Sequence, residues 1–278
     1  MTDGEPRAPC CRVCGAPRAP APIDRAEGGH PLGRCPACGT VVALGRPGAG
    51  ALAALYDELF ETGDYERHRR TFEALARGEP HWSRYRARLL RRLERRARGR
   101  SMAEIGGGVG GFGMLATRRG WSYSDFDISE VAAGFARRLG LRATVFPEGE
   151  PPPLPAGSAD AVVMWEVVEH AWDVAGLLRA CRRALRPGGC LALSTPNWEH
   201  GRTLAALGPL ASPPLHLAFF DAQSLRGALE AAGFTHVRVF GKRLETPRPT
   251  LGSVAASVRL LLGLRAPETL CAFAGVGA

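Results

Sequence analysis

The stretch that decides the fold is MAEIGGGVGGFGML, Met102 to Leu115. Five of the six residues from Gly106 to Gly111 are glycine. A short apolar run leads in and a helical apolar pattern leads out, so the spacing predicts a strand, a tight turn and a helix. Glycine concentrates at such a junction when a ligand must come close to the backbone, because a Cβ would stand in its way. Such a turn at the carboxyl edge of a sheet also faces a helix N-terminus. Twenty-one residues beyond Gly106 comes Asp127, at the predicted end of the next strand. A carboxylate there can accept hydrogen bonds from both hydroxyls of a ribose, which points to a nucleoside-containing cofactor.

Working outward, the pattern after Ser101 alternates. Strands are expected at SMAEI, WSYSDFD, about 142–146, ADAVVMWE (159–166), CLALSTP and THVRVF. Helices are expected at 110–119, 129–139, 172–185 and 221–234, the last opening on an Asp cap. This alternation predicts a doubly wound, mostly parallel α/β sheet with a Rossmann-like arrangement. Ahead of it, Trp82, Tyr85, Leu89 and Leu93 recur three or four apart and predict a helix to about Arg98. Its other face is rich in Arg. Residues 243–278 read as a loop and one apolar helix.

The front of the chain is different. Five of eight cysteines lie in the first 38 residues. Cys11 and Cys14 form one C-x-x-C followed by Gly15, and Cys35 and Cys38 form another followed by Gly39. Paired knuckles of this form suit tetrahedral thiolate ligation of Zn²⁺, and four thiolates would make the site structural. The expected organisation is therefore a zinc ribbon at 8–44, a helical linker and cap at 45–100, a core at 101–242 and an extension at 243–278. No second metal-ligating cluster stands out in the sequence, so metal-assisted chemistry is not expected.

Bulk properties narrow the setting. The 278 residues are 45% hydrophobic and 23% charged, with a formal net charge of +9. Only Lys242 is a lysine, so the charge is carried by Arg, as in chains with GC-rich codon usage. No run approaches the roughly 18 apolar residues of a membrane span; VAASVRLLLGL (254–264) is short and contains Arg259. The opening MTDGEPRAPCC lacks the apolar core of a signal peptide. A cytoplasmic protein without membrane contact is expected.

The loop satisfies two patterns. Gly106-x-Gly108-x-x-Gly111 fits the dinucleotide fingerprint, a weak signal alone. Glu104-x-Gly106-x-Gly108-x-Gly110 resembles motif I of the class I S-adenosylmethionine-dependent methyltransferases. An acid beside the loop suits that cofactor's ammonium better than an anionic pyrophosphate. Three further segments resemble the same family in the same order: LPAGSADAVVMWEVVEHAWD (154–173), LRPGGCLALSTPN (185–197) and HLAFFDAQSLRGALEAAGFTHVRV (216–239). The core looks nearest to the ubiquinone-biosynthesis O-methyltransferases. The ribbon followed by LYDELF resembles the front of the sugar-nucleotide C-methyltransferases, which suggests a small-molecule or sugar-like acceptor.

The resemblance implies roles. Glu104, Gly106, Gly108 and Gly110 would line the methionine end of S-adenosylmethionine. Asp127 would hold the ribose, with Ile128 and Phe146 beside the adenine, although the Asp-Ala-like pair that family members carry near Phe146 is missing. Glu166 and Val167 would sit near methyl transfer, and Tyr56 and Tyr65 would belong to a lid. His170 and His216 are the candidate bases, with His200 behind them. Rival readings are an enzyme acting on ribosomal RNA, an NAD-dependent oxidoreductase and a non-catalytic binding module.

Overall fold

The computed structural model describes residues 10–25, 29–62, 66–79, 84–199, 213–241 and 269–277. Trp82, Tyr65 and His200 lie outside them, as does most of the 243–278 segment read as a loop and one apolar helix. At the front, β1 (Ala21–Arg25), β2 (Pro31–Arg34) and β3 (Val41–Ala43) form an antiparallel ribbon. Three helices follow: α1 (Ala51–Thr62), α2 (Glu66–Ala76) and α3 (Arg84–Glu94). The apolar stripe foreseen on α3 is real, since Leu89 and Leu93 are buried, with Leu90 beside them.

The rest alternates as the pattern requires: β4 (Ser101–Ile105), α4 (Gly111–Arg118), β5 (Ser122–Asp127), α5 (Glu130–Arg138), β6 (Ala143–Val145) and β7 (Ala159–Trp165). A single 3₁₀ turn at Val168–His170 leads to α6 (Val174–Ala184), then β8 (Leu185–Pro196), β9 (Ala218–Phe219), α7 (Ala222–Ala231), β10 (Thr235–Gly241) and β11 (Thr269–Gly275). Helix starts follow local chemistry. Ser129 accepts from the Ala132 amide, Asp173 from Gly176, and Asp221 forms a capping box with Ser224.

The main sheet has seven strands in the order β10-β11-β8-β7-β4-β5-β6. The five from β8 to β6 run parallel. Every residue of β7 is buried, as a central strand covered on both faces should be. THVRVF was expected to be the last strand. Instead β11 follows it in sequence and inserts between β10 and β8, antiparallel to both. Its centre, Leu270 to Ala274, is buried on both faces, so no alternation marks it as a strand.

The ribbon is not a separate bead. β3 pairs with β9, Val41 opposite Phe219 and Val42 opposite Ala218, so a strand from the second half of the chain completes the front sheet. Cys11, Val13, Cys35 and Val42 share one apolar core with Val174, Leu178 and Phe220.

Candidate functional site

The carboxyl ends of β4, β5 and β7 open into one cavity of about 590 Å³. Gly106, Gly108, Asp127, Ile128, Phe146, Glu166, Val167, His170, His216 and Tyr56 all line it. Glu104 and Gly110, expected there, do not; they lie behind the loop.

Parallel register makes the loop. Ile105 pairs with Phe126, so β4 and β5 end level and present Gly106 beside Asp127. Gly106 has φ 67°, and a Cβ on it would stand 2.6 Å from Val167 Cγ2. Left-handed backbone and close approach both require glycine there. The Gly108 amide donates to Asp127 Oδ2 (3.2 Å), and the Ser129 amide donates to Oδ1 (2.9 Å). The Ile128 amide is a third backbone partner of this carboxylate, which retains acceptor capacity toward the cavity. Asp127 is 7% exposed, facing the cavity.

Behind the loop lies a buried acidic layer. Tyr123 Oη donates to Glu104 Oε2 (2.5 Å), and the Gly107 amide donates to Asp125 Oδ1 (3.0 Å). Burial pushes the Glu104 carboxyl up to about 7, against the Tyr123 hydrogen bond and the Arg86 charge. Asp125 and Asp127 are raised in the same direction by burial. A carboxyl whose folded pKa is raised stabilises the fold fully below its unfolded pKa and ceases to do so as pH rises. For Glu104 that window runs from about pH 4.5 to about 7, and the loss amounts to about 3 kcal/mol. Glu104→Gln keeps an acceptor for Tyr123 and removes the ionisation. Urea melts of cofactor-free protein should therefore show the variant gaining on wild type between pH 4.5 and 8, by about 3 kcal/mol at the top. Taking the difference cancels the imidazoles, which work in the opposite sense.

Helix α1 is anchored at its start and at its middle. Glu148 accepts from the Leu52 and Ala53 amides at the start of α1 (2.9 and 3.1 Å). Further along, Asp57 accepts from Ser129 Oγ (2.5 Å). Tyr56 on the same helix meets the His170 ring edge-on, centroids 5.7 Å apart.

The far wall gathers titratable side chains that no sequence spacing marked. In sequence Glu169 and His170 stand 46 residues or more from His216; the fold brings their ligand atoms within 4.8 Å of one another. His170 Nδ1 lies 2.7 Å from the Leu215 carbonyl. A carbonyl only accepts, so the ring donates from Nδ1 in that contact; the Glu166 backbone is a second partner of the ring. His216 packs 4.7 Å away, centroid to centroid. Burial pulls His170 down to about 4 and His216 to about 3, so both are neutral at physiological pH. Glu169, 1% exposed, is pushed well above the usual carboxylate range by burial and by Glu166. Glu166 itself has φ 57°, unusual for a residue with a Cβ.

The Cys11, Cys14, Cys35 and Cys38 sulfurs form a second group within 4.8 Å. Cys11–Cys38 and Cys14–Cys35 are each 3.9 Å apart. Tetrahedral ligation at about 2.3 Å requires sulfurs about 3.8 Å apart, so the set fits a zinc ion. The two knuckles match in backbone: Gly15 bonds the Cys11 carbonyl and Gly39 the Cys35 carbonyl. Both glycines are left-handed, with φ of 75° and 74°.

Sequence reasoning missed Glu169 as part of the site, and it missed Arg12. The Arg12 guanidinium donates to the carbonyls of Trp172 (2.8 Å), Leu217 (2.6 Å) and Ala43 (3.0 Å). Nothing in a C-R-V-C string marks that role. Among the described residues, no helix is long and apolar enough to cross a membrane.

Comparison with known proteins agrees with this geometry. A probable S-adenosylmethionine-dependent methyltransferase of Mycolicibacterium smegmatis is 37% identical over 176 residues, 59% of this chain and 63% of the relative. A ubiquinone biosynthesis O-methyltransferase of Caulobacter sp. is 35% identical over 134 residues, 44% of this chain and 52% of that one. The chain thus spans about three fifths, or less, of the curated relatives it matches. The crystal structure of an S-adenosylmethionine-dependent methyltransferase from Mesorhizobium loti superposes with TM-score 0.55 at 21% identity, covering 69% of this chain and 98% of that one. The family described as "Methyltransferase domain" matches residues 67–239, from the second cap helix through β10, and the chain belongs to that family.

Proposed function

We propose that the chain transfers the methyl group of S-adenosylmethionine to a small-molecule acceptor. The observation that carries this reading is the pairing of the left-handed Gly106–Gly108 turn with the Asp127 carboxylate at one cavity mouth. Bound there, the cofactor supplies a methyl group already activated by its sulfonium. The remaining acceptor capacity of Asp127 receives the ribose hydroxyls. Ile128 and Phe146 give apolar contact to the adenine. Gly106 and Gly108 let the backbone approach. Glu104 and its neighbours lie behind the loop as a reservoir of negative charge for the ammonium. Glu166 and Val167 border the methyl end, and Tyr56 on the anchored lid helps to exclude water. Positioning of this kind supplies much of the rate in a displacement whose electrophile is already activated. We also assign Zn²⁺ to the four cysteines, as a structural ion.

Calorimetric titration of zinc-loaded protein with S-adenosylmethionine and with NAD tests the reading. Wild type should bind the former, and Asp127→Asn should weaken it roughly 10–100-fold, two charge-assisted hydrogen bonds being worth about 1.5 kcal/mol or more each. Equal affinity in the two proteins, or binding of NAD alone, would overturn it. An acceptor screen follows, small molecules first. RNA comes second, and a steep fall of affinity with salt would favour the RNA reading.

A further inference from the structure

We propose that the outer end of the cavity is an anion subsite, formed by Arg46, Arg179 and Arg183, which takes a phosphoryl group carried by the methyl acceptor. The subsite stands on its own geometry; assigning its anion to the acceptor rests on the methyltransferase reading. Three observations carry it.

First, the arginines converge on one mouth from separate segments. The cavity that begins at the Gly106 turn continues past His170 and Trp172 and opens to solvent between Arg46 and helix α6. Gly176, Arg179 and Arg183 line it, and their spacing of three and four residues puts them on one face of that helix. Arg46 approaches from the segment before α1, its guanidinium 5.9 Å from the Trp172 ring centroid.

Second, these charges are left uncompensated. Among the described residues, none of the three guanidinium groups has a carboxylate or carbonyl within hydrogen-bond or ion-pair distance. Their neighbours differ: Arg182 donates to the Gly233 carbonyl (2.8 Å), and Arg186 pairs with Asp160 (2.9 Å). Like charges four residues apart on a helix repel by about 0.2–0.5 kcal/mol, so Arg179 and Arg183 stand at a small cost that a bound anion would relieve. The acids at the same mouth do not cancel them. Glu148 sits on the amides that open α1, and Asp173 caps α6, where the Arg12 charge also faces it. That leaves Glu150 alone against three arginines, an excess of positive charge that matches a phosphoryl dianion. The planar guanidinium fork suits its oxygens.

Third, the cavity is polarised along its length. Asp127 and Glu166 line the inner end, in front of the buried acidic layer. An anion is repelled there and attracted at the arginines, so the field admits an acidic acceptor with its uncharged end foremost, toward Val167 and the methyl group.

The test is calorimetric titration of inorganic pyrophosphate into the zinc-loaded full chain, with and without saturating S-adenosylhomocysteine, at low ionic strength. Wild type should bind one pyrophosphate per chain with the cofactor product in place. Arg179→Gln combined with Arg183→Gln should weaken that binding roughly 10–100-fold, two charge-assisted hydrogen bonds being lost, and change S-adenosylhomocysteine affinity less than about 3-fold. Neither side chain has a partner to lose, so the variant should melt with wild type. Arg91→Gln combined with Arg95→Gln removes the same charge from exposed positions on and just past α3, and should leave pyrophosphate binding within about 2-fold. Absence of binding in wild type, equal retention in the α6 variant or an equal loss in the α3 control would overturn the subsite. Binding only without S-adenosylhomocysteine would put the anion in the cofactor pocket and overturn it too. Pyrophosphate binding lost in the α6 variant, with no binding of S-adenosylmethionine or its product, would instead sink the methyltransferase reading and leave the subsite standing. Among acceptors tested as phosphorylated and dephosphorylated pairs, the phosphorylated form should have the lower KM, and the α6 variant should raise that KM while keeping kcat. Equal KM for the two forms would overturn the assignment to the acceptor. A single-stranded RNA that displaces pyrophosphate and itself takes up the methyl group would overturn the small-molecule class.

Discussion

Gly106→Ala is expected to remove most of the affinity for S-adenosylmethionine, by roughly 100-fold, while the protein still folds. Two costs meet at this atom. The backbone sits at φ 67°, where a residue with a Cβ is strained by about 1 kcal/mol or more. The new methyl also stands 2.6 Å from Val167 Cγ2. Val167 is β-branched and has few rotamers to retreat into, so the loop must move instead, by a few tenths of an ångström or more. Overpacking of this sort costs about 1–3 kcal/mol. The displacement falls on the turn whose neighbour, Gly108, is bonded to Asp127, so the ribose carboxylate is misaligned with it. Pairing the change with Val167→Ala separates the two costs. The next Val167 contacts are at 3.6 Å for Cγ1 and 3.7 Å for Cβ, and truncation leaves only the latter. The double variant should therefore recover about half of the lost binding energy, seen calorimetrically as a coupling of about 1–2 kcal/mol. Additive effects would mean that strain, not the clash, dominates.

That the loop could be read from sequence while the opposite wall could not has a physical cause. Gly106 and Asp127 are joined by one strand–helix–strand unit, and parallel register fixes where such strands end. The relation is local and carries its own periodicity. The parallel strands and α3 were legible for the same reason: Leu89 and Leu93 repeat with the helix. β11 was not: it lies in the segment read as a loop and one apolar helix, and a short apolar run buried on both faces cannot be told from a buried helix by periodicity. The cluster of Glu169, His170 and His216 depends on a contact spanning 45 residues, from His170 to the Leu215 carbonyl. No short-range pattern reports it. Each histidine was visible singly, as a residue at the carboxyl edge of the sheet, and was read as a base. The nearby carboxylate and the two buried, neutral rings come together only when the chain is folded. Glu104 shows the converse. Its position in the loop pattern was legible, but its burial behind the loop was not.

Arg12→Ala is expected to lower stability by about 3–5 kcal/mol and to loosen the histidine wall at a distance. Between two of the clustered cysteines, Arg12 donates to carbonyls on three separate segments: Ala43 in the ribbon, Trp172 after the 3₁₀ turn, and Leu217 beside His216. It also stacks over the Trp172 ring at 4.1 Å. Burial pulls the guanidinium down to about 10, so it remains charged at neutral pH. Hydrogen bonds from a charged donor contribute about 1.5–3 kcal/mol each, and removal strips this partner from those carbonyls and from that of Ala171, although the Leu217 carbonyl keeps the Ala43 amide. The Ala175 amide donates to the Arg12 carbonyl, a backbone contact that the substitution keeps. The ribbon therefore stays docked while its grip on the two loops is lost. Chemical denaturation gives the stability change. Proton relaxation or hydrogen exchange at the 168–172 and 215–219 segments gives the local one, with faster exchange there than in β4 or β7. Cys35→Ser, which removes a knuckle ligand, should produce the same local loosening together with loss of zinc. If the ribbon were only an appended module, Cys35→Ser would leave exchange at 168–172 and 215–219 unchanged. The pairing of β3 with β9 argues otherwise: the front of the chain supplies a strand partner and a cation that together hold Glu169, His170 and His216 at one wall.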